Sequence, residues 1–168
     1  MQDTPKGERL HIAIFGKRNA GKSSLINALT KQDVALVSDL PGTTTDPVYK
    51  AMEILPLGPV VLIDTAGLDD EGQLGLLRVE KSKAVLNKTD LAILVIDGQS
   101  ELTEFDVKIF QEIKAKNIPI VVVVNKIDLQ KRIMPHSIVE QLGNDVVEVS
   151  TVTGAGIELL KGLLIKNT

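Results

Sequence analysis

The chain has 168 residues, 43% of them hydrophobic, which suits one domain of ordinary size with a proper core. The formal net charge is −3 with both signs spread along the sequence, and the aromatic residues are Phe15, Tyr49, Phe105 and Phe110, so neither a nucleic-acid or membrane-binding surface nor a base-stacking platform is expected. There is no cysteine, which excludes disulfides, a thiolate nucleophile and a cysteine-ligated metal cluster, iron–sulfur clusters included, within these residues.

Met1 to Arg9 is polar, contains Pro5 and Gly7, and reads as a flexible lead-in rather than a signal peptide. The longest apolar runs are of strand length, too short to cross a bilayer, so a cytoplasmic enzyme or switch domain is expected. A first strand is predicted over Leu10 to Phe15. It runs into Gly16-Lys17-Arg18-Asn19-Ala20-Gly21-Lys22-Ser23, a match to the phosphate-binding pattern G-x-x-x-x-G-K-[ST]. A helix follows from Lys22 to Leu29, with Leu25, Ala28 and Leu29 on one face. Val37 to Pro47, with two prolines, Gly42 and three threonines, reads as a loop. Tyr49 to Leu55 and Val60 to Asp64 are strands joined by the turn Pro56-Leu57-Gly58-Pro59, a hairpin that makes one strand antiparallel. After the acidic, glycine-bearing loop Leu68 to Gly75 come a helix (Leu76 to Asn87) and a continuous apolar strand (Leu91 to Asp97).

Thr103 is a candidate N-cap, with Asp106 three residues on, for a helix whose buried stripe is Phe105, Ile109 and Ile113. A strand over Ile118 to Val124 ends at Asn125-Lys126-Ile127-Asp128. A weaker helix (Ser137 to Leu142), a strand (Val146 to Val149) and a last helix (Gly156 to Ile165) complete the chain. Strands apolar on both faces, alternating with amphipathic helices, indicate an α/β fold. It is read as a six-stranded, mostly parallel sheet with one antiparallel strand and about five helices covering both faces. In such sheets ligands bind at the carboxyl ends of the strands, and every motif named here follows a predicted strand.

The chemistry these motifs carry can be read residue by residue. Asn19, Ala20, Gly21, Lys22, Ser23 and Ser24 would wrap a nucleotide's phosphates in backbone N–H groups at a helix N-terminus. Lys22 would bring a point charge to the β- and γ-phosphates, and the Ser23 hydroxyl would hold Mg²⁺. Glycine is needed at Gly16 and Gly21 because the chain turns tightly against the phosphates. In Asp64-Thr65-Ala66-Gly67 the carboxylate has the position of an outer-sphere or water-mediated Mg²⁺ contact, and the Gly67 N–H could reach a γ-phosphate. That would make the following loop sensitive to GTP against GDP. Asp128 can accept two hydrogen bonds from guanine N1–H and its exocyclic amine, a pair that adenine lacks. Asn125 would tie that loop to its neighbours, and the Lys126 stem can lie along the base. Ser150-Thr151-Val152 fits a short loop closing over the base through backbone N–H groups.

The ordered set Gly16–Ser23, a threonine loop, Asp64–Gly67, Asn125–Asp128 and Ser150–Val152 resembles the Ras-like GTPases of the translation-factor class over nearly the whole chain, as a phosphate-loop NTPase of residues 10–168. Pro41-Gly42-Thr43-Thr44-Thr45-Asp46 resembles the switch loop of the Era, EngA and MnmE group, which implies that Thr44 ligates Mg²⁺ when GTP is bound. That group usually has arginine where this chain has Thr45. Thr45, Asp46-Pro47-Val48 and the stretch from Leu57 to Gly72 most resemble the HydF family, GTPases that help mature the active-site cluster of iron-only hydrogenases. HydF proteins also carry a dimerisation domain and a C-terminal iron–sulfur domain. Neither is among these residues, so the resemblance implies a GTPase domain excised from a longer protein. It further implies hydrogenase maturation proteins as partners and homodimerisation through paired GTPase domains or through the missing domains. Asn19 matches the asparagine that coordinates K⁺ in potassium-dependent relatives of MnmE. Leu68 occupies the position where Ras-like enzymes place the glutamine that orients attacking water. Together they imply slow basal hydrolysis stimulated by K⁺.

Two alternatives stand beside this reading: a GTPase of ribosome or tRNA metabolism like Era or MnmE, and a scaffold switch whose hydrolysis is incidental. Lys17 and Arg18 read as solvent-facing loop positions, His11 as a partly buried strand residue, His136 as a surface residue, and Asp69-Asp70-Glu71 as a solvated loop.

Overall fold

A computed structural model describes residues 10–16, 21–30, 48–54, 57–65, 84–98, 104–125, 145–151 and 153–167. Within them, β1 (Leu10–Gly16), β2 (Val48–Ile54), β3 (Gly58–Asp64), β4 (Leu91–Asp97), β5 (Ile120–Asn125) and β6 (Asp145–Glu148) form one sheet of order β2-β3-β1-β4-β5-β6. Helices α1 (Lys22–Thr30), α2 (84–88), α3 (Glu104–Ala115) and α4 (Ile157–Lys166) alternate with the strands. All neighbouring strands pair in parallel except β2, which runs antiparallel to β3 from Val48↔Asp64 to Ile54↔Gly58. The mostly parallel α/β sheet with one antiparallel strand is therefore as expected from the apolar runs and the short turn at Pro56–Pro59.

Continuous apolar strands arise because successive side chains point to opposite faces and both faces are covered. Ile12 and Ile14 of β1, Leu91, Ile93 and Val95 of β4, and Val121 and Val123 of β5 pack with Leu25, Ile26 and Leu29 of α1 and Leu160 and Leu164 of α4. The alternate residues Ala13 and Phe15, Ala92, Leu94 and Ile96, and Val122 and Val124 pack with Val85 and Leu86 of α2 and Ile109, Phe110 and Ile113 of α3. Each fully buried aliphatic side chain contributes about 1.5–3 kcal/mol, so the two faces together outweigh any single polar contact in the domain. At the amino end of the sheet, the His11 N–H donates to the Asp90 carboxylate (2.9 Å) and the Asp90 N–H to the His11 carbonyl (2.8 Å), so half-buried His11 is the structural strand residue expected.

Element ends depart from the sequence reading where backbone conformation intervenes. β5 begins at Ile120, two residues later than predicted, because Ile118 closes the turn that caps α3. There Asn117 adopts a left-handed φ of 59°, and the Ile118 N–H turns back towards the Ile113 carbonyl (3.5 Å). On α3, Ile109 and Ile113 are buried as expected, and Asp106 and Phe110 are buried beside them, which was not anticipated. α4 starts at Ile157, not Gly156, since Gly156 is a left-handed cap with φ 81°. The side chain of Phe105, the cap at Thr103, the start of the helix predicted from Leu76, the helix predicted over Ser137 to Leu142, residues 1–9 and His136 lie outside the described residues. No helix among the described residues is long and apolar enough to cross a membrane.

Ile93, fully buried in β4, is expected to cost about 2–5 kcal/mol of stability as Ile93→Ala. Leu159→Ala, at a position 63% exposed, should cost under about 0.5 kcal/mol. Urea titration of the two variants checks the contrast, and equal losses would contradict the packing described.

Candidate functional site

The carboxyl ends of β1, β3, β5 and β6 bring the sequence motifs to one edge of the sheet. β1 ends at Gly16, whose φ of 152° is open to glycine and whose bare Cα lies close to β4: a Cβ there would sit 2.6 Å from the Val95 carbonyl oxygen. At Gly21, φ 93°, a Cβ would run into the side-chain amide of Asn125. α1 begins at once, its first bond running from the Leu25 N–H to the Gly21 carbonyl at 2.9 Å. Lys22 is 4% exposed and its Nζ donates to the Gly16 carbonyl. A buried ammonium needs negative charge or carbonyl dipoles around it. The Gly16 carbonyl supplies one dipole, and the ammonium sits in the first turn of α1, where the helix N-terminus favours an anion. This cradle fits a nucleotide polyphosphate.

Asp64 closes β3 and is 3% exposed. Its place is set by register with Ile14 and by Thr65, whose N–H (3.4 Å) and hydroxyl (2.6 Å) both donate to the Ile14 carbonyl. The sequence reading used Thr65 only as part of a four-residue motif. Its hydroxyl is in fact the tie that holds the carboxylate strand to the strand feeding the phosphate loop. Among the described residues there is no group of three or more His, Cys, Asp or Glu able to hold a metal ion. A Mg²⁺ ion suits the site all the same, because it draws much of its shell from phosphates and water, and the buried Asp64 carboxylate could hold one of those waters.

Asn125 closes β5 and is 1% exposed. It is held from two sides. Its carbonyl accepts the Gly98 N–H (2.9 Å), and its side-chain amide abuts Gly21. Gly98, just past β4, went unremarked in the sequence. A Cβ there would stand 2.8 Å from the Asn125 oxygen, and its signal was a glycine directly after an apolar strand. β6 is joined to β5 by Val149 N–H donating to the Val124 carbonyl (2.8 Å), which sets buried Ser150 and half-buried Thr151 beside Asn125's strand. Ser24 is exposed in α1, and Ser23 lies in the first turn of that helix. The side chain of Ser23, and Lys17, Arg18, Asn19, Ala20, Thr44, Gly67, Leu68, Lys126, Asp128 and Val152, lie outside the described residues.

Buried lysine, bare glycines at a helix start and a carboxylate one strand away define a phosphate-loop nucleotide-binding domain. The sequence profile of the 50S ribosome-binding GTPase family matches residues 11–126, well over half of the chain, and the chain belongs to that family. It is a GTPase domain. It is 44% identical over 160 residues to the tRNA modification GTPase MnmE of Thermoanaerobacter sp. strain X514, a match covering 94% of this chain and 34% of that protein. The chain thus spans about a third of the curated relatives it matches. In structure it is similar to Era of Aquifex aeolicus bound to GDP·AlF4⁻, with TM-score 0.75 and 30% identity over 94% of this chain and 56% of that one. It is also similar to Era in complex with MgGDPNP and a segment of 16S ribosomal RNA, with TM-score 0.71 and 31% identity over the same shares. The Ras-like architecture and the GTPase assignment made from the motifs stand; a HydF relationship is not among these findings.

Gly21→Ala is expected to weaken GDP binding by about a hundredfold or more, roughly 3 kcal/mol, because the added methyl group must displace the Asn125 amide. Fluorescent-nucleotide titration measures it, and affinity within threefold of wild type would refute the contact.

Proposed function

We propose that this domain hydrolyses GTP slowly by itself and faster with K⁺, and acts as a switch within a longer protein. The observation that carries the nucleotide reading is buried Lys22 inside the Gly16–Gly21 cradle, with Asn125 against it. Lys22 neutralises the β- and γ-phosphates, and Ser23, Thr44 and Asp64 hold Mg²⁺. The Gly67 N–H contacts the γ-phosphate, and Asn125, Lys126, Asp128 and the Ser150–Val152 loop take the guanine. Water attacks the γ-phosphorus, the bond to the β–γ bridging oxygen breaks, and GDP and inorganic phosphate leave. With Leu68 in place of a water-orienting glutamine, the side chain expected to compensate is Asn19. A K⁺ ion held there would offset the negative charge that builds up during transfer, where an arginine finger stands in other GTPases. Pairing of two GTPase domains would raise the rate further.

Replacing Na⁺ by K⁺ should raise kcat by about tenfold or more in the wild type and by less than about twofold in Asn19→Ala, with GDP affinity retained in both. Phosphate-release assays in the two salts check this, and equal rates in Na⁺ and K⁺ would remove K⁺ from the mechanism.

For the whole protein, identity across the entire domain to MnmE, a GTPase named for tRNA modification, supports a role in tRNA modification. Era, solved with ribosomal RNA, supports nucleic acid as a partner of the wider group. A net charge of −3 disfavours phosphate-backbone binding by the domain itself, so the RNA contact is assigned to other segments of the whole protein. A second reading, hydrogenase cluster maturation with maturation proteins as partners, is favoured by one specific observation. Thr45, Asp46-Pro47-Val48 and the Leu57–Gly72 stretch depart from the arginine-bearing switch loop in the manner of HydF. Both readings place the protein in the cytoplasm and use the same switch chemistry, so the domain alone does not separate them. Deleting the gene is expected to deplete a modified nucleoside in bulk tRNA, read by mass spectrometry of digested tRNA. Unchanged tRNA with lost hydrogenase activity would overturn the first reading in favour of the second.

A further inference from the structure

Helix α4 carries two of the three large hydrophobic side chains that are exposed among the described residues, Leu159 (63%) and Ile165 (42%). Its exposed positions are Glu158, Leu159, Gly162, Ile165 and Lys166, while Ile157, Leu160, Lys161 and Leu164 are buried. At 3.6 residues per turn these five positions fall within about 60° of one direction, that of Gly162. They are also symmetric about it. Three positions to either side of Gly162 stands an apolar residue, Leu159 or Ile165. Four positions to either side stands a charged one, acidic Glu158 before it and basic Lys166 after it.

Nothing in the chain's own fold asks for glycine at the centre of this face. Gly162 is helical, without the positive φ of Gly154 and Gly156. A Cβ on it would meet nothing within 4 Å. Alanine would fit there and make the better helix, because glycine loses more backbone freedom on folding. A bare Cα that the monomer does not use is what the close approach of a second backbone needs. The face is open to one: the opposite side of α4, with Leu160 and Leu164, packs on the sheet face shared with α1.

We propose that the exposed face of α4 binds a second copy of the chain, the two helices running antiparallel across a two-fold axis at Gly162. That axis sets Leu159 against the partner's Ile165 and Glu158 against the partner's Lys166, each pair occurring twice. A parallel pair would instead bring like charges together at both ends, so charge selects the antiparallel arrangement. Glu158 lies 3.6 Å from the Lys161 ammonium of its own helix, and its carboxylate, 78% exposed, keeps acceptor sites for another ammonium. One helix from each copy buries less than a standard interface, so the pair is weak by itself and gains strength where other segments hold two copies together. None of the five residues belongs to the nucleotide motifs, so the pairing stands apart from the nucleotide reading.

The chain has no cysteine, so introduced cysteines report position without background. Under mild oxidation, a mixture of Leu159→Cys and Ile165→Cys chains is expected to form disulfide dimers at least about fivefold faster than either variant alone. Like positions would stand about 9 Å apart along the axis, beyond disulfide reach. In sedimentation at low salt, wild type should self-associate with a Kd on the order of 100 µM. Glu158→Lys and Lys166→Glu should each weaken this about tenfold or more. An equimolar mixture of the two should return to within about threefold of wild type, since every facing pair is then of opposite charge. Gly162→Ala should raise the thermal unfolding midpoint yet weaken association at least about fivefold. GDP affinity should stay within about twofold of wild type in every variant, which shows that each is folded. Like cysteines that cross-link as fast as the mixed pair, or a charge mixture no stronger than its components, would overturn the antiparallel arrangement. A wild type still monomeric at about 1 mM would overturn the pairing itself and leave the face to another segment of a longer chain.

Discussion

The abutment of the Asn125 side-chain amide on Gly21 holds the two halves of the site together. Gly21 belongs to the phosphate loop, and Asn125 ends β5, two strands away from β1 in the sheet. Because neither can move without the other, the distance between the phosphate end and the base end of the site is a property of the sheet, not of the loops. The cost of this precision is borne by backbone: Gly21 must lack a side chain, and Gly98 must lack one as well so that its N–H can reach the Asn125 carbonyl. Rigid elements thus fix the two strand ends from which these motifs continue.

The same logic repeats along the edge. Thr65 ties β3 to β1 by its hydroxyl, so the Asp64 carboxylate is held next to the strand that feeds the phosphate loop. Val149 ties β6 to β5, and the described residues between β6 and α4 hydrogen-bond among themselves. In each case a buried backbone carbonyl is paired with a neighbour's donor, as burial requires. The outcome is preorganisation: the electrostatic groups for a polyphosphate are in place without reordering of the core. In the mechanism proposed above, a K⁺ ion at Asn19 supplies what Leu68 cannot.

The split between domain chemistry and cellular role follows from size. The chain covers about a third of its MnmE relatives, so the likeness speaks for the switch and leaves substrate choice to other segments. Function resides in sites grafted on folds, and a GTPase fold is shared by proteins with very different tasks.

Much was legible in the sequence. Apolar runs of strand length, a glycine-lysine-serine loop after the first of them, and carboxylates or amides directly after later ones were enough to specify a parallel sheet, its antiparallel edge strand and the edge where ligands bind. These are local signals: side-chain alternation, glycine's access to positive φ, and the short hairpin turn. Element ends near Asn117 and Gly156 were misplaced, because left-handed backbone at a helix end is set by capping bonds that periodicity does not register. The inward turn of Phe110 likewise depends on which face of α3 meets the sheet. Contacts between residues far apart in sequence were beyond reach altogether. That Gly98 supports Asn125, that Asn125 rests on Gly21, and that Gly156 sits on Glu148 were decided by the tertiary structure, since each sets a strand end against the end of another strand or the start of a helix. The sequence by itself determined which groups could serve a guanine nucleotide; the fold decided which backbone atoms hold those groups still.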